Sequence, residues 1–313
     1  MSLRSLKLPT IDFINKRKYA MVFSALLLIV SIISLGLQGL KLGIDFTGGT
    51  LIEVGYQQTA DLEDIRTKLA SASYMGTNVQ YFGSDTEVLI QLEPQAISSA
   101  KLSSSIIQML GDGIDVRRVE FVGPKVGEEL TNDGGLALLY ALIGILIYVA
   151  FRFEYRFALG SITALVHDVV ITLGVFSILQ IAFDLTVLAA ILAIIGYSLN
   201  DTIVVFDRIR ENFLSTRHIE PMPIVNDALN QTLARTLMTS LTTLLVLLAL
   251  FYLGGEVIHS FAGALIIGVV IGTYSSIFVA SSMILALGIS KEDMLPSEKE
   301  KKEININLPI VTS

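Results

Sequence analysis

The stretch LAAILAIIGYSLNDTIVVF, residues 188–206, decides the fold, because it is apolar enough to cross a membrane and still contains an acid. A helix that spans a bilayer needs roughly 20 apolar residues. Placing the Asp201 carboxylate in hydrocarbon costs about 2.5–3.5 kcal/mol, so such a residue usually faces a polar pathway. A base, Arg235, stands at the start of the next apolar run. An acid and a base on neighbouring helices predict proton or ion coupling.

The composition is typical of a membrane protein. The chain has 313 residues, of which 52% are hydrophobic and 16% are charged, and its mean hydropathy is +0.67. A net charge of -7 without a basic stripe argues against a nucleic-acid partner. The absence of cysteine excludes disulfides, thiolate catalysis and iron–sulfur clusters. The three histidines lack a metal-ligand spacing and no nucleophile–base set is visible, so we expect no metal, no cofactor and no enzymatic activity.

Six apolar runs are long enough to cross a bilayer: 19–40, 134–151, 157–180, 184–206, 236–254 and 261–288. Only a helix satisfies its own backbone within one such segment. The first run follows Lys16-Arg17-Lys18 and is too long for a signal-peptide core, so we expect a retained helix. The predicted fold is a multi-pass α-helical membrane protein with an inserted α+β domain. Its parts are a tail (1–18), a first transmembrane helix (19–40), the insert (41–133), five more helices (134–288) and a second tail (289–313).

The distribution of Lys and Arg predicts the orientation. Both tails and the links near 152–156 and 207–235 carry basic residues, whereas the links near 181–183 and 255–260 carry none. Positive charge favours the cytoplasmic side. We therefore expect both termini in the cytoplasm and the insert on the opposite side.

The insert has the pattern of a small ferredoxin-like domain. Its strands alternate in polarity and its helices have apolar residues three or four apart. The order β-α-β-β-α-β is that of a split β-α-β fold. The predicted elements are strand 50–56, helix 62–72, strand 78–82, strand 87–92, helix 97–110 and strand 115–122. Gly48-Gly49 lacks the spacing of a phosphate loop and is interpreted as a turn into the first strand.

Asp201 has polar neighbours on its own helix. Asn200 adjoins it, and Tyr197 and Ser198 lie four and three residues before it, on the same helical face. That face could solvate a carboxylate or hold a chain of waters. The alternative is a static hydrogen bond or ion pair between helices.

The sequence allows two interpretations of the role of Arg235. It is either an interfacial residue that extends its guanidinium to the headgroups or the partner of Asp201. In the second case, a conformational change that makes and breaks the pair would bind and release a proton. A polar stripe on the same segment favours this reading, because it continues deep into the bilayer: Thr232, Thr236, Thr239, Ser240 and Thr243.

The third apolar run contains His167 and Asp168 near its middle. Asp168 follows Gly160 and Ala164 at four-residue steps, which predicts a close helix contact. The two residues are either members of a proton relay or buried groups that fix helix register, and the spacing slightly favours the second. In the last run, residues 268, 272 and 276 are Gly, Gly and Ser, which predicts a helix-packing face.

Five segments carry a resemblance to a known family. They are LGIDFTGGT (42–50), FVGPKVGEEL (121–130), FRFEYRFALGSITALVHD (151–168), GYSLNDTIVVFDRIREN (196–212) and LARTLMTSLTTLL (233–245). Together and in this order they resemble the SecF family of protein-export membrane proteins, which is related to the resistance-nodulation-division transporters.

The resemblance implies a function and partners. It implies a bacterial inner-membrane protein that works with SecD, the SecYEG translocon and YajC, and uses the proton-motive force to move preproteins to the periplasmic side. Asp201 and Arg235 match the family's proton-conducting motifs, and SecD would supply a further acid. Two other classes stay open, a proton-coupled antiporter half and a non-conducting assembly factor. The coupling ion is open between proton and sodium.

Overall fold

The computed structural model describes residues 10–72, 74, 77–94, 99–111, 114–216 and 220–294. The outer parts of both predicted tails, 1–9 and 295–313, lie outside these residues, as does the predicted start of the second insert helix at 97–98. In chain order the elements are α1 (Phe13–Leu37), β1 (Lys41–Leu42), α2 (Ile44–Thr47), β2 (Gly49–Tyr56), α3 (Leu62–Ser71), β3 (Asn78–Phe82), β4 (Ser84–Leu92), α4 (Ser99–Leu110), β5 (Ile114–Val122), α5 (Pro124–Arg152), α6 (Tyr155–Leu179), β6 (Ala182–Phe183), α7 (Leu185–Ser215), α8 (Pro221–Leu253), α9 (Glu256–Ser275), a π-helical segment (Ser276–Ala280) and α10 (Ser281–Ala286).

Six helical stretches are long and apolar enough to cross a membrane, as predicted: α1, α5, α6, α7, α8 and the run from Ile258 to Ala286. Half of the apolar window of α6 and of α7 is buried inside the protein, against 11% in α5 and 17% in α8. The helices α6, α7 and α9 therefore form the centre of the bundle. The helices α5 and α8 leave most of their apolar surface for lipid or for another protein.

The helices extend beyond the predicted apolar runs. The expected link 207–235 is largely helical, because α7 continues to Ser215 and α8 already begins at Pro221. These extensions are amphipathic: Ile209 and Phe213 continue the buried face of α7 at four-residue spacing. Arg235 consequently lies well inside α8 and not at its start.

The start of α1 is fixed by another helix. The Asn226 side chain of α8 accepts hydrogen bonds from the backbone N–H groups of Phe13 and Ile14, at 2.9 and 3.4 Å. Asp12 caps the same end by accepting from the Asn15 N–H. Free N–H groups at a helix start need such acceptors, so α1 begins at Phe13, before the predicted residue 19.

The insert forms an antiparallel sheet in the order β3-β4-β2-β5. The first and third strands of the domain, β2 and β4, pair at the centre and the other two flank them. This is the predicted split β-α-β arrangement. The core lies between the sheet and the two helices, and includes Ile52, Val54, Ile65, Leu69, Val88, Ile90, Leu102 and Ile106. The strand predicted at 87–92 begins earlier, at Ser84.

A short junction connects the insert to the membrane helices. The strands β1 and β6 pair in parallel, and the Asp45 carboxylate accepts a hydrogen bond from the Leu185 N–H at the start of α7, at 3.0 Å. Gly49 has a φ of 128°, and a Cβ there would lie 2.3 Å from the Leu92 carbonyl oxygen. The interpretation of Gly48-Gly49 as a turn into a strand is therefore confirmed, since Gly49 is the first residue of β2.

A side-chain contact spans the same junction. The Lys41 ammonium on β1 donates to the Gln80 side-chain oxygen on β3, at 2.7 Å. Burial lowers the pKa of the Lys41 amine, because desolvation disfavours its charged form. The junction thus combines backbone pairing with a partly desolvated polar contact.

Candidate functional site in the membrane helices

A stripe of small residues on α9 and the π-helical segment after it packs against α7. A Cβ on Gly268 would lie 2.2 Å from the Ile194 side chain, and one on Gly272 would lie 3.1 Å from the Ser198 side chain. One turn further, Ser276 and Thr202 share a hydrogen bond of 2.9 Å. The three contacts follow each other at four-residue steps on both helices. The packing face predicted for 268, 272 and 276 is confirmed, and its partner is the face of α7 that flanks Asp201.

Asp201 is buried at this contact, with 3% of its surface exposed. Its Oδ2 atom has no hydrogen-bond partner among the described residues. A buried ionised carboxylate without a hydrogen-bond partner costs several kcal/mol. The group therefore gains free energy from a proton, from water or from an approaching cation. The arrangement can accept a proton, a water molecule or a cation.

The polar neighbours of Asp201 point in different directions. Ser198 is fully buried and donates to Asp168 on α6, at 2.5 Å. Tyr197 donates to the Ser240 hydroxyl on α8, at 3.3 Å. Asn200 is exposed on the outside of the bundle. The residues share one helix, but their hydrogen bonds do not converge on the Asp201 carboxylate.

Arg235 is exposed in α8 and forms no ion pair with Asp201 in the part of the chain that the structure describes. Its guanidinium is near enough to exert a Coulombic attraction on the Asp201 carboxylate. The polar stripe on the same helix faces inward at Thr232, Thr236 and Ser240, which are at most 5% exposed. The Thr236 hydroxyl, like the Asp201 Oδ2, has no partner among the described residues. The structure thus has the acid and base apart, on two helices that pack together.

His167 and Asp168 lie at the centre of a polar network inside the bundle. They are 2% and 0% exposed, and the His167 Nδ1 lies 2.9 Å from the Asp168 Oδ1. The other carboxylate oxygen, Oδ2, accepts from Ser198 at 2.5 Å and from Ser275 at 2.7 Å. Asp168 therefore joins α6 to α7 and α9. Its contact on α9, Ser275, is the last residue before the π-helical segment.

The network continues to α1. The His167 Nε2 lies 3.2 Å from the Ser24 hydroxyl oxygen, which in turn lies 3.0 Å from the Tyr274 hydroxyl. Tyr274 donates to the Ala20 carbonyl at 2.7 Å. The sequence points to His167 and Asp168 but gives no signal for Ser24, Tyr274 or Ser275, because an uncharged hydroxyl does not interrupt an apolar run as a charged residue does.

Other charged groups lie near the ends of the helices. Arg152 pairs with Asp207 at 2.9 Å, with both side chains about two-fifths exposed. Among the described residues, no group of three or more His, Asp or Glu is placed to hold a metal ion. Within the described ranges, Asp201 is thus the acid inside the bundle with an unpaired carboxylate oxygen.

Comparison with known proteins identifies the family. Residues 103–290 match the model of the C-terminal part of the protein export membrane proteins SecD and SecF, and residues 33–60 match the SecD/SecF GG motif. The chain is 53% identical to the protein translocase subunit SecF of Vibrio alginolyticus, and the match covers 94% of this chain and 95% of that protein. This chain belongs to the SecF family.

More distant SecF proteins match over similar lengths. The Helicobacter pylori SecF is 40% identical, with 93% of this chain and 91% of that protein covered. The Pseudomonas aeruginosa SecF is 45% identical, with coverages of 94% and 97%. The SecF resemblance of the five sequence motifs is therefore confirmed over nearly the whole chain.

Solved SecDF structures share the fold. The SecDF of Thermus thermophilus, described as a translocon-associated membrane protein, matches with a TM-score of 0.83 and 38% identity over 90% of this chain. SecDF in a super-membrane-facing form matches with a TM-score of 0.66 and 36% identity over 96% of this chain. This chain spans only 39% and 40% of those two SecDF chains.

Proposed function

We propose that this chain is the SecF subunit of a SecD–SecF pair that uses the proton-motive force to promote preprotein translocation through the Sec translocon. It would reside in the bacterial inner membrane with both termini in the cytoplasm and the insert in the periplasm. Its role is mechanical and not enzymatic, with SecD, SecYEG, YajC and the preprotein as partners. The observation that carries the proposal is the buried Asp201 carboxylate, whose Oδ2 has no partner on a helix packed at the centre of the bundle.

The coupling step follows from the positions of the acid and the base. With Arg235 apart, Asp201 is stabilised by taking up a proton. Movement of α8 that brings the guanidinium to the carboxylate stabilises the ionised form and releases that proton. Binding from one side and release to the other would couple proton flow to the helix movement, and through the junction at Asp45 to the insert.

The available energy is sufficient for such a switch. One charge that crosses a potential of 100 mV gains about 2.3 kcal/mol. That energy shifts a two-state equilibrium about fiftyfold. One proton per cycle could therefore shift the insert from about 1:7 to about 7:1 between two positions.

Exposed polar residues support a second subunit. Asn200 and Arg235 are exposed on the outside of two helices long and apolar enough to cross a membrane, and an unsatisfied polar group in lipid is unfavourable. SecD would cover these groups and complete the proton path. This chain matches about two-fifths of each SecDF chain, which is consistent with a second subunit that supplies the remainder.

Translocation in inverted membrane vesicles tests the proposal. With the Asp201→Asn variant, we expect the stimulation of preprotein translocation by the proton-motive force to fall to the level seen with an uncoupler. The control is Asp207→Asn, which removes a carboxylate from an exposed ion pair on the same helix and should keep full stimulation. Full stimulation with Asp201→Asn, at normal protein level, would support the assembly-factor alternative. Transport of a small molecule without SecD would support the antiporter alternative.

A further inference from the structure

The hydrogen bonds around His167 determine where its hydrogen atoms lie. Tyr274 has one hydroxyl hydrogen, and it is donated to the Ala20 carbonyl oxygen at 2.7 Å, since a carbonyl can only accept. The contact of 3.0 Å between Tyr274 and Ser24 must then be donated by Ser24. The single hydroxyl hydrogen of Ser24 is thereby used.

The same reasoning places a hydrogen on the His167 Nε2, the ring nitrogen that faces α1. The His167 Nε2 lies 3.2 Å from the Ser24 oxygen. Because Ser24 has no further hydrogen to give, Nε2 must be the donor in this contact. The imidazole therefore has a hydrogen on Nε2.

The inner contact, between Nδ1 and the Asp168 Oδ1 at 2.9 Å, also needs a hydrogen. A neutral imidazole with its hydrogen on Nε2 has a bare lone pair on Nδ1, which would face a carboxylate oxygen and be repelled. The hydrogen can lie on Nδ1, which gives an imidazolium beside a carboxylate, or on Oδ1, which gives two neutral groups. Both placements have the same number of protons and a net charge of zero.

The surroundings of the pair agree with this count. Ser198 from α7 and Ser275 from α9 donate to the Asp168 Oδ2. From α1, Ser24 contacts the His167 Nε2. The titratable group that faces the pair from α9 is Tyr274, whose ring stacks on the imidazole. Asp201 lies one turn further along α7. No Lys or Arg among the described residues pairs with Asp168. A pair with net charge -1 would thus be an unpaired charge at the centre of a membrane bundle.

We infer that His167 and Asp168 form a second proton-binding site in the membrane helices, distinct from Asp201. The pair has a net charge of zero. It therefore holds one proton more than a pair of neutral histidine and ionised aspartate, whose net charge is -1. Loss of that proton leaves one hydrogen for the imidazole, which must lie on Nδ1 to meet the ionised Oδ1. The Ser24 hydroxyl must then turn away from Tyr274 and donate to Nε2.

The site is connected to the Asp201 helix. Ser198 donates to Asp168 and lies on the stripe of α7 that packs against α9. A change of charge at Asp168 therefore acts on α7 one turn before Asp201, and the rearrangement of Ser24 acts on α1. The role of this site in transport rests on the proposed function, whereas its proton count does not.

Nitrogen-15 NMR of the histidine-labelled chain in lipid vesicles at neutral pH tests the proton count. The His167 signals are those that disappear in the His167→Gln variant. We expect a protonated Nε2, either in an imidazolium or in the neutral Nε2–H tautomer beside a protonated Asp168 carboxyl, which a carbon-13 label in the aspartate carboxyls distinguishes from a carboxylate. A neutral His167 with its hydrogen on Nδ1 would overturn the inference. A neutral Nε2–H tautomer beside an ionised Asp168 would also overturn the inference. This result does not depend on translocation, so failure of the proposed function leaves it intact.

The Tyr274→Phe variant tests the part played by Ser24. Without the tyrosine oxygen, the Ser24 hydroxyl is free to donate to the His167 Nε2. We expect the neutral Nδ1–H tautomer, which the wild-type contacts exclude, to become detectable in the nitrogen-15 spectrum. An unchanged nitrogen-15 spectrum would overturn the assignment of Ser24 as the group that fixes the tautomer.

The Asp168→Asn variant tests the role in transport. Its amide can donate to Nδ1 and accept from Ser198 and Ser275, so it imitates the pair with its proton in place. We expect a folded complex with a protonated Nε2 and a loss of at least fivefold in proton-driven translocation. The control is Ser161→Ala, which removes from the same helix a buried hydroxyl that has no partner in the described part of the chain and should be fully active. Full activity of Asp168→Asn would overturn the role in transport.

Discussion

Asp201 and Asp168 are both buried in the membrane helices, but their carboxylates have different surroundings. Asp168 makes three side-chain hydrogen bonds, to His167, Ser198 and Ser275. Asp201 Oδ2 makes none among the described residues. A satisfied group resists change, whereas an unsatisfied one responds to any proton or cation that reaches it. Under the proposed function, this difference makes Asp201 the group expected to respond first to the driving force.

The sequence predicts these residues better than it predicts their partners. Asp201 is evident because a charge interrupts an apolar run, and His167 and Asp168 are evident for the same reason. Which hydroxyls they meet depends on how four helices are arranged around one another. Spacing along one helix places Tyr197 and Ser198 near Asp201, yet their hydrogen bonds go to α8 and α6.

Substitutions of Arg235 test its proposed contact with the carboxylate. With Arg235→Lys, we expect a partial loss of proton-driven translocation, about two- to tenfold, because lysine keeps the charge but loses the planar fork of donors. With Arg235→Gln, we expect the loss to be as large as with Asp201→Asn. Translocation assays in inverted vesicles give both values. Equal activity of the lysine and glutamine variants would show that the charge is not used.

The helices α7 and α9 form the element that positions Asp201. Their stripes of residues, Ile194–Ser198–Thr202 and Gly268–Gly272–Ser276, allow a close approach of the two backbones. The four-residue spacing on α9 predicts a packing face but not the helix that it meets. Nor does the sequence around Ser276 distinguish a π-helical segment from an α-helix. Such segments are frequent at functional sites.

The Gly268→Ala variant tests this packing. Its Cβ would lie 2.2 Å from Ile194, so we expect a loss of about 1–3 kcal/mol in the free energy of unfolding. Unfolding in mixed detergent micelles, followed by circular dichroism, measures it. The control is Gly196→Ala on α7, where a Cβ would meet nothing within 4 Å.

A second substitution makes the test specific to one contact. Ile194→Ala should give Gly268→Ala the space that it lacks, so that the double variant is more stable than the sum of the single effects by at least about 0.5 kcal/mol. Strictly additive effects would show that Gly268 and Ile194 are not in contact.

At the scale of the whole molecule, the proposed function requires the junction between the insert and the bundle to transmit a movement of the helices. The junction consists of two-residue strands, the short helix α2 and the contact of Gly48 with Gly127 on α5. The sequence predicts the six helices and the split β-α-β insert, because long periodic segments have a strong pattern. It misses β1, α2 and β6, since elements of two to four residues are too short to show a period.

The Gly127→Ala variant tests whether this junction matters. Its Cβ would lie 2.8 Å from the Gly48 nitrogen and 3.1 Å from the Phe46 oxygen, and these backbone atoms cannot move aside cheaply. We expect reduced translocation by a chain that is still inserted and bound to SecD. Gly135→Ala on the same helix, where a Cβ meets nothing within 4 Å, should be normal. Normal translocation by Gly127→Ala would separate the junction from the mechanism.

Proton influx into liposomes tests the central claim most directly. The chain is reconstituted with SecD, a potential is applied, and internal pH is followed while external pH and sodium are varied independently. We predict an influx that depends on pH and not on sodium, that persists in Asp207→Asn and that is absent in Asp201→Asn. An influx of wild-type size in Asp201→Asn, or a flux that follows sodium alone, would contradict the account.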